Sequence, residues 1–349
     1  MSKNTKKRYG VMLVGCGYIG EQHLRDIAGK KEFSIVATVD TDAALAESFA
    51  KRFRAPEHGT DYRAFLDDPR VDIVIVATYT ATHYEITKDC MDHGKHVICE
   101  KPISANMDDA AEFVRMARAS SCKVTVSYVL RYNASYRKIR ELIQEGEIGE
   151  LRLIRMQQSH QTGGNHPWSR FKKLMEDCTP LVDCGVHYAD LAQWLTGSPV
   201  TEVSGISAKL DGDAPVNNYQ LMTMKLANGC TAYYEVGWSN NISTASEKDF
   251  VGTKGHITLT MAANRTDGKK DRDLICIFRS DGSVKRLEVK AVYKDMYAQA
   301  LNLIDMIENG APGVIPIDSV YSALRIVQTA QMAIDTGKIL SPAEIFPDP

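Results

Sequence analysis

The sequence predicts an α/β chain in two parts: an N-terminal doubly wound domain on a parallel sheet, and a C-terminal α+β domain built on an open, largely antiparallel sheet. Three observations carry this reading. Up to about residue 128, short runs that are apolar throughout alternate with amphipathic stretches, as strands buried on both faces require. From about 200 to 290 the runs lengthen and alternate apolar with polar residues, so that only one face enters a core. Between the first apolar run and the first helical stretch stands Gly15-Cys16-Gly17-Tyr18-Ile19-Gly20, the place of a dinucleotide-binding turn.

The elements follow in order. YGVMLVG at 9–15, FSIVATVD at 33–40, VDIVIVAT at 71–78, KHVICE at 95–100 and KVTVSY at 123–128 read as strands, with helices over 43–53, 82–93 and 107–119. A further helix over 134–145 stops at Gly146, and LRLIRMQQSHQ at 151–161 opens the second sheet. In NNYQLMTMKLANGCTAYYEVGW, Asn228-Gly229 turns one alternating strand into the next, since both residues tolerate the positive φ of a tight hairpin. Helices over 293–309 and 317–336 close the chain and fit beside either domain. The division is a Rossmann domain at 1–128 and an α+β substrate and oligomerisation domain at 129–349.

Composition narrows the function. The 349 residues carry 42 Lys+Arg against 44 Asp+Glu, a net charge of −2. No basic excess speaks for nucleic acid or an anionic membrane surface. No apolar run approaches the roughly 20 residues needed to span a bilayer, and the basic N-terminus lacks a secretory core. Eight scattered cysteines without a Cys-x-x-Cys pair predict reduced thiols in a cytoplasmic protein. Cys178 and Cys184 lack metal-ligand spacing, so no metal is expected.

In the glycine motif Gly15 makes the turn, Gly17 lets backbone approach a pyrophosphate and Gly20 lets helix and strand pack. Tyr18 and Ile19 open the helix whose N-terminus faces the phosphates. Asp40, twenty residues after Gly20, sits where a carboxylate accepts from the adenosine ribose hydroxyls and repels a 2′-phosphate, which favours NAD over NADP. Asp40 as a helix N-cap is the competing reading, and Asp42 is an alternative cap.

With these residues in place, the chain resembles the Gfo/Idh/MocA oxidoreductases, the glucose-fructose oxidoreductase and inositol dehydrogenase family. The resemblance covers nearly the whole chain. It rests on GCGYIG at 15–20, Asp40, ATYTATHYEITKDCMDHGKHVICEKP at 77–102, RYNASYRKIRELIQEGEIGE at 131–150 and DCGVHYAD at 183–190. It implies that Lys101 of Glu100-Lys101-Pro102 meets the substrate, that Glu100 lies near the nicotinamide ribose, and that Thr78 and His83 line the nicotinamide side. It also implies a Lys101-Pro102 bond that is often cis, and Asp183 and His187 as the catalytic pair. Arg131 and Asn133 match the family's R-[FY]-N and are expected beside the pocket. The chain departs from the family's glycine-rich approach to the pair, having Asp177-Cys178-Thr179-Pro180 instead. That puts the pocket's shape in doubt, not its chemistry.

The residue types agree with that chemistry. Positions 183 and 187 are four apart and share one helix face. Hydride leaves a carbinol carbon readily only as its hydroxyl proton is taken, which needs a base of pKa near the working pH. His187 suits that role; Asp183 then binds a neighbouring hydroxyl or orients the imidazole, as does Asp190 one turn further on. Lys101, desolvated beside a cationic ring, joins a proton relay or polarises the oxygen. His166, Trp168 and Arg170, in a polar stretch around one Trp, are candidate sugar contacts, the alternative being a solvated loop with its Trp pinned to the core.

The expected activity is NAD-dependent oxidation of a sugar, glycoside or cyclic polyol by a homo-dimer or homo-tetramer. Two alternatives are an NAD-assisted glycoside-cleaving enzyme, betrayed by cleavage without net NADH, and a silent dinucleotide- or sugar-sensing module. The presence of Lys101, Asp183 and His187 together speaks against the sensor.

Overall fold

In this computed structural model residues 7–161 and 167–349 are described. The chain divides into two units, Met1–Val129 with Asp295–Val320 and Pro349, and Leu130–Lys294 with Tyr321–Asp348. The first unit runs β1 Tyr9–Val14, α1 Tyr18–Ile27, β2 Phe33–Val39, α2 Ala43–Phe53, β3 Glu57–Gly59, β4 Ile73–Val76, α3 His83–Asp92, β5 His96–Cys99, α4 Met107–Ala119 and β6 Val124–Val126. The second adds α5 Ala134–Gln144, β7 Leu151–Gln161, α6 Trp168–Asp177, α7 Pro180–Thr196, β8 Val200–Ala208, β9 Tyr219–Leu226 and β10 Thr231–Ser239. It continues through β11 Lys248–Gly252, β12 Gly255–Thr260, β13 Arg272–Arg279 and β14 Val284–Lys290. The chain closes with α8 Met296–Asn309, α9 Ile317–Thr336 and α10 Pro342–Ile345.

Sheet order in the first unit is β3-β2-β1-β4-β5-β6, with every pair parallel. Strands β1 and β4 are buried at every residue, which is why YGVMLV and IVIV carry no polar alternation. The order reverses between β1 and β4, so a crevice opens beyond their carboxyl ends. Of the two placements open to the last helices, α8 joins this unit. Its Ala300, Leu303 and Ile304 enter one cluster with Tyr9, Leu24, Ile27 and Phe33, each large side chain contributing about 1.5–3 kcal/mol by burial.

Sheet order in the second unit is β14-β13-β12-β11-β7-β10-β9-β8. All pairs are antiparallel except β7 with β10, since α6, α7, β8 and β9 intervene between those two strands. Alternation along β9 and β10 sends Met222, Met224, Tyr234 and Val236 inward, and α7 packs on that face. Tyr188 of α7 stacks on Tyr234 with ring centroids 4.2 Å apart, and Leu181 N–H donates to Gln220 Oε1 at 3.0 Å. The stretch read as a polar loop is partly helix. Strand β7 continues to Gln161 and α6 starts at Trp168, because Phe171 and Met175 form a buried stripe against Trp238. No side-chain cap marks that start; Pro167 stands immediately before it.

Candidate active site

The cofactor half lies in the first unit. Gly15 has φ +97°, and a Cβ there would stand 2.5 Å from the Ala77 carbonyl oxygen. A Cβ on Gly20 would stand 2.1 Å from the Gly15 carbonyl oxygen. A Cβ on Gly17 would meet nothing within 4 Å. The first and third glycines are thus fixed by packing, and the middle one by the need for bare backbone toward open space. Gly17 is the N-cap of α1 without a side-chain capping bond, and the positive end of a helix dipole favours an anion there. These residues fit a dinucleotide pyrophosphate.

Asp40 sits half-buried at the end of β2. Its Oδ2 accepts from Cys16 N–H at 2.8 Å and its Oδ1 from Asp42 N–H at 3.0 Å. The cap of α2 is Asp42, whose Oδ1 accepts from Ala44 and Leu45 N–H. Asp40 is therefore not the cap; it ties the glycine turn to β2 and keeps lone pairs for a ribose. Cys16 inside the turn is buried, and burial pushes its thiol up to about 12.

Beyond β4 and β5, Thr78 and Lys101 are partly exposed, while His83 and Glu100 are buried. His83 lies beneath the surface: its Nδ1–H donates to the Pro102 carbonyl at 2.6 Å, and Nε2 is 3.1 Å from the Thr78 carbonyl. Burial pulls its pKa down, and the single N–H of the neutral ring ties α3 to the turn after β5 through the Pro102 carbonyl. The Lys101-Pro102 peptide is cis. Glu100 Oε1 lies 2.8 Å from His23 Nε2, both side chains buried. His23, three residues after Gly20 and so on the same face of α1, was missed by the sequence reading. Its spacing from the glycine motif was the available signal.

A second group of candidate residues lies on α7 in the second unit. Thr179 caps this helix, Pro180 starts it and Gly197, at φ +63°, ends it. Along its first three turns every side chain is buried except Asp183, Cys184 and His187. The pair is thus the accessible stripe of an otherwise buried helix. Cys184 Sγ lies 3.5 Å from Asp183 Oδ2.

Asp190, one turn on, does not face that stripe. It is buried, and its two oxygens accept from Arg131 Nε at 2.8 Å and Nη2 at 2.6 Å. Burial raises its carboxyl against the lowering by Arg131. Arg131, expected beside the pocket, is 6% exposed and anchors α7 from within. Asn133 is 1% exposed; its Oδ1 caps α5 through Ser135 and Tyr136 N–H, and its Nδ2 donates to the Val292 carbonyl. Both carry the fold under the site. Trp168 Nε1–H donates to Asp213 Oδ2 at 3.0 Å, and its ring packs on Phe171, Met175 and Trp238. Arg170 is partly exposed on α6, and His166 lies outside the described residues.

Comparison with known proteins gives the family. The family described as an oxidoreductase family with NAD-binding Rossmann fold matches residues 9–128, and the GFO/IDH/MocA C-terminal domain matches 136–258. The chain is 24% identical over 347 residues to inositol 2-dehydrogenase 2 of Saccharopolyspora erythraea, covering 97% of this chain and 96% of that protein. It is 25% identical over 285 residues to D-glucoside 3-dehydrogenase of Escherichia coli, covering 76% and 81%. The fold matches scyllo-inositol dehydrogenase of Lactobacillus casei, solved with NAD(H) and scyllo-inositol, at a TM-score of 0.77 and 21% identity, covering 97% and 100%. The chain belongs to the Gfo/Idh/MocA family and is an NAD-dependent oxidoreductase.

Proposed function

We propose that the chain oxidises a secondary alcohol carbon of a cyclic polyol or pyranoside, with His187 as the proton acceptor. The observation that carries this reading is the Asp183–His187 stripe, the accessible line on a helix whose first turns are otherwise buried. NAD, when bound, supplies the hydride acceptor. The chain's own residues do the rest. Asp183 and His187, one turn apart, reach adjacent substrate atoms: His187 takes the hydroxyl proton as the carbinol carbon is oxidised, and Asp183 accepts from a neighbouring hydroxyl. Lys101, held by the clamped turn after β5, donates to the substrate oxygen. Gly17 and the open end of α1 hold the pyrophosphate, and Asp40 selects against a 2′-phosphate.

Relatives named as inositol and D-glucoside dehydrogenases support this substrate class. A cytoplasmic homo-dimer or homo-tetramer belongs to the same proposal, supported by the partly exposed outer face of the second sheet, where Ile206 is 64% exposed. Among the described residues no helix is long and apolar enough to cross a membrane.

The test is NADH formation at mildly alkaline pH across inositols, free hexoses and alkyl or aryl glucosides, with NADP as control. Turnover with NAD on one class, lost in His187→Ala while NAD affinity is kept, is the expected result. Glycoside cleavage without net NADH would replace this reading by redox-assisted cleavage.

A further inference from the structure

Lys248 opens β11 on the face of the sheet that α7 covers. In register it lies opposite Met156 of β7, which is buried. An ammonium in this apolar bed is 3% exposed. Its Nζ donates to the Gln157 carbonyl at 3.1 Å and to Ser246 Oγ at 2.5 Å. Neither partner is a carboxylate, so the cost of burying the cation is only partly offset. A leucine or methionine would fill the same space without that cost, so packing alone does not account for the residue.

Its surroundings say what it holds. Approaching β11, the ladder to β7 keeps the Gln157 N–H bond to the Glu247 carbonyl at 2.9 Å, and Lys248 supplies the donor for the Gln157 carbonyl. The ammonium therefore pins the end of β7 to the start of β11. Nζ also lies 5.6 Å from the centroid of the Tyr188 ring, within the range of a cation–π contact, which strengthens as water is excluded. Tyr188 is the residue after His187 and is stacked from its other neighbour, Tyr234.

We propose that Lys248 is a positioning residue for the Asp183–His187 stripe, its ammonium fixing Tyr188, and through it helix α7, to the β7–β11 strand pair. The inference rests on the reading of His187 as the proton acceptor. Burial pulls the ammonium down to about 7, with Glu247, the residue before it, opposing. The other titratable groups around it are Tyr188 of α7 and, behind that ring, Tyr234 of β10, both raised well above their ordinary range. The contact to Tyr188 weakens as the Lys248 ammonium deprotonates, while Tyr188 and Tyr234 stay protonated.

The experiment uses the full chain, its histidine Cε1–H resonances followed by NMR from pH 6 to 9, with His187 assigned from His187→Ala. Three variants are compared: Lys248→Met, Lys248→Arg and His187→Ala. The wild-type His187 signal is expected to show an inflection near pH 7 from Lys248 besides its own titration. Lys248→Met should shift the signal and remove that inflection; Lys248→Arg should keep the wild-type position and remove the inflection. At pH 6.5, where Lys248 holds its proton, with myo-inositol or methyl β-glucoside and NAD, Lys248→Met should lower kcat by about 10- to 100-fold, as a small misplacement of the base does, with the KM for NAD unchanged. A His187 signal and pH titration in Lys248→Met identical to wild type would overturn the proposal. Undiminished turnover in His187→Ala would instead remove the base assignment, while the NMR comparison still decides whether Lys248 positions the helix.

Discussion

Replacing Arg131 with methionine tests whether α7 is held in place by a buried ion pair. Arg131 and Asp190 are 6% and 1% exposed, and two hydrogen bonds of 2.8 and 2.6 Å join them. Methionine keeps the apolar stem but leaves a carboxylate that is 1% exposed without its partner. Removing one member of such a pair costs about 3–5 kcal/mol, because the remaining charge is desolvated without a partner. At about 2–4 °C per kcal/mol for a domain of this order of size, Tm should fall by on the order of 10 °C. The sign with pH follows from the stranded group. Alone in the folded state, Asp190 has a pKa raised above its unfolded value of about 4, so the folded form binds the proton more tightly. The loss should therefore be small near pH 4 and grow as pH rises. Urea unfolding at pH 4.5 and 7.5 measures both arms, and Arg131→Met/Asp190→Leu should recover most of the loss by removing the stranded charge. A single variant that costs under about 1 kcal/mol at neutral pH, or a double variant no more stable than the single, would refute the ion pair as the anchor of α7.

The glycine motif separates packing from binding: Gly17→Ala should keep the wild-type Tm and weaken NAD binding at least tenfold, since its Cβ meets only open space. Gly20→Ala should lower Tm as well, since its Cβ would stand 2.1 Å from a backbone oxygen; calorimetry and NAD titration distinguish the two. Asp40→Ala should narrow the preference for NAD over NADP, measured as the ratio of the two dissociation constants. Stability should rise with pH from about 7 toward 10, because the folded state holds the Lys248 ammonium down at about 7 against an ordinary 10.5 while the unfolded chain still binds the proton. Lys248→Met should flatten that slope in denaturant midpoints.

Patterns of local origin were legible in the sequence. The apolar runs of β1, β4 and β5, the cap Asp42, the Asn228-Gly229 turn and the spacing of Asp183 from His187 are each set by residues a few positions apart. The period of a strand or helix and the steric freedom of glycine act at that range. Resemblance of motif order supplied the family and singled out Lys101.

What a polar side chain touches was decided by the fold alone. Arg131 and Asn133 read as pocket neighbours because they are polar and follow the last strand, yet Asp190, 59 residues away, and Val292, 159 residues away, claim their donors. His23 and Glu100 are 77 residues apart in sequence and 2.8 Å apart in space. Lys248 gave no signal at all: a lone lysine at a strand start is ordinarily solvated. A sequence fixes which hydrogen-bonding groups exist and how far each reaches along its own helix or strand. Which of them are removed from water, and so must find a partner inside, depends on segments distant in the chain that the tertiary structure brings together.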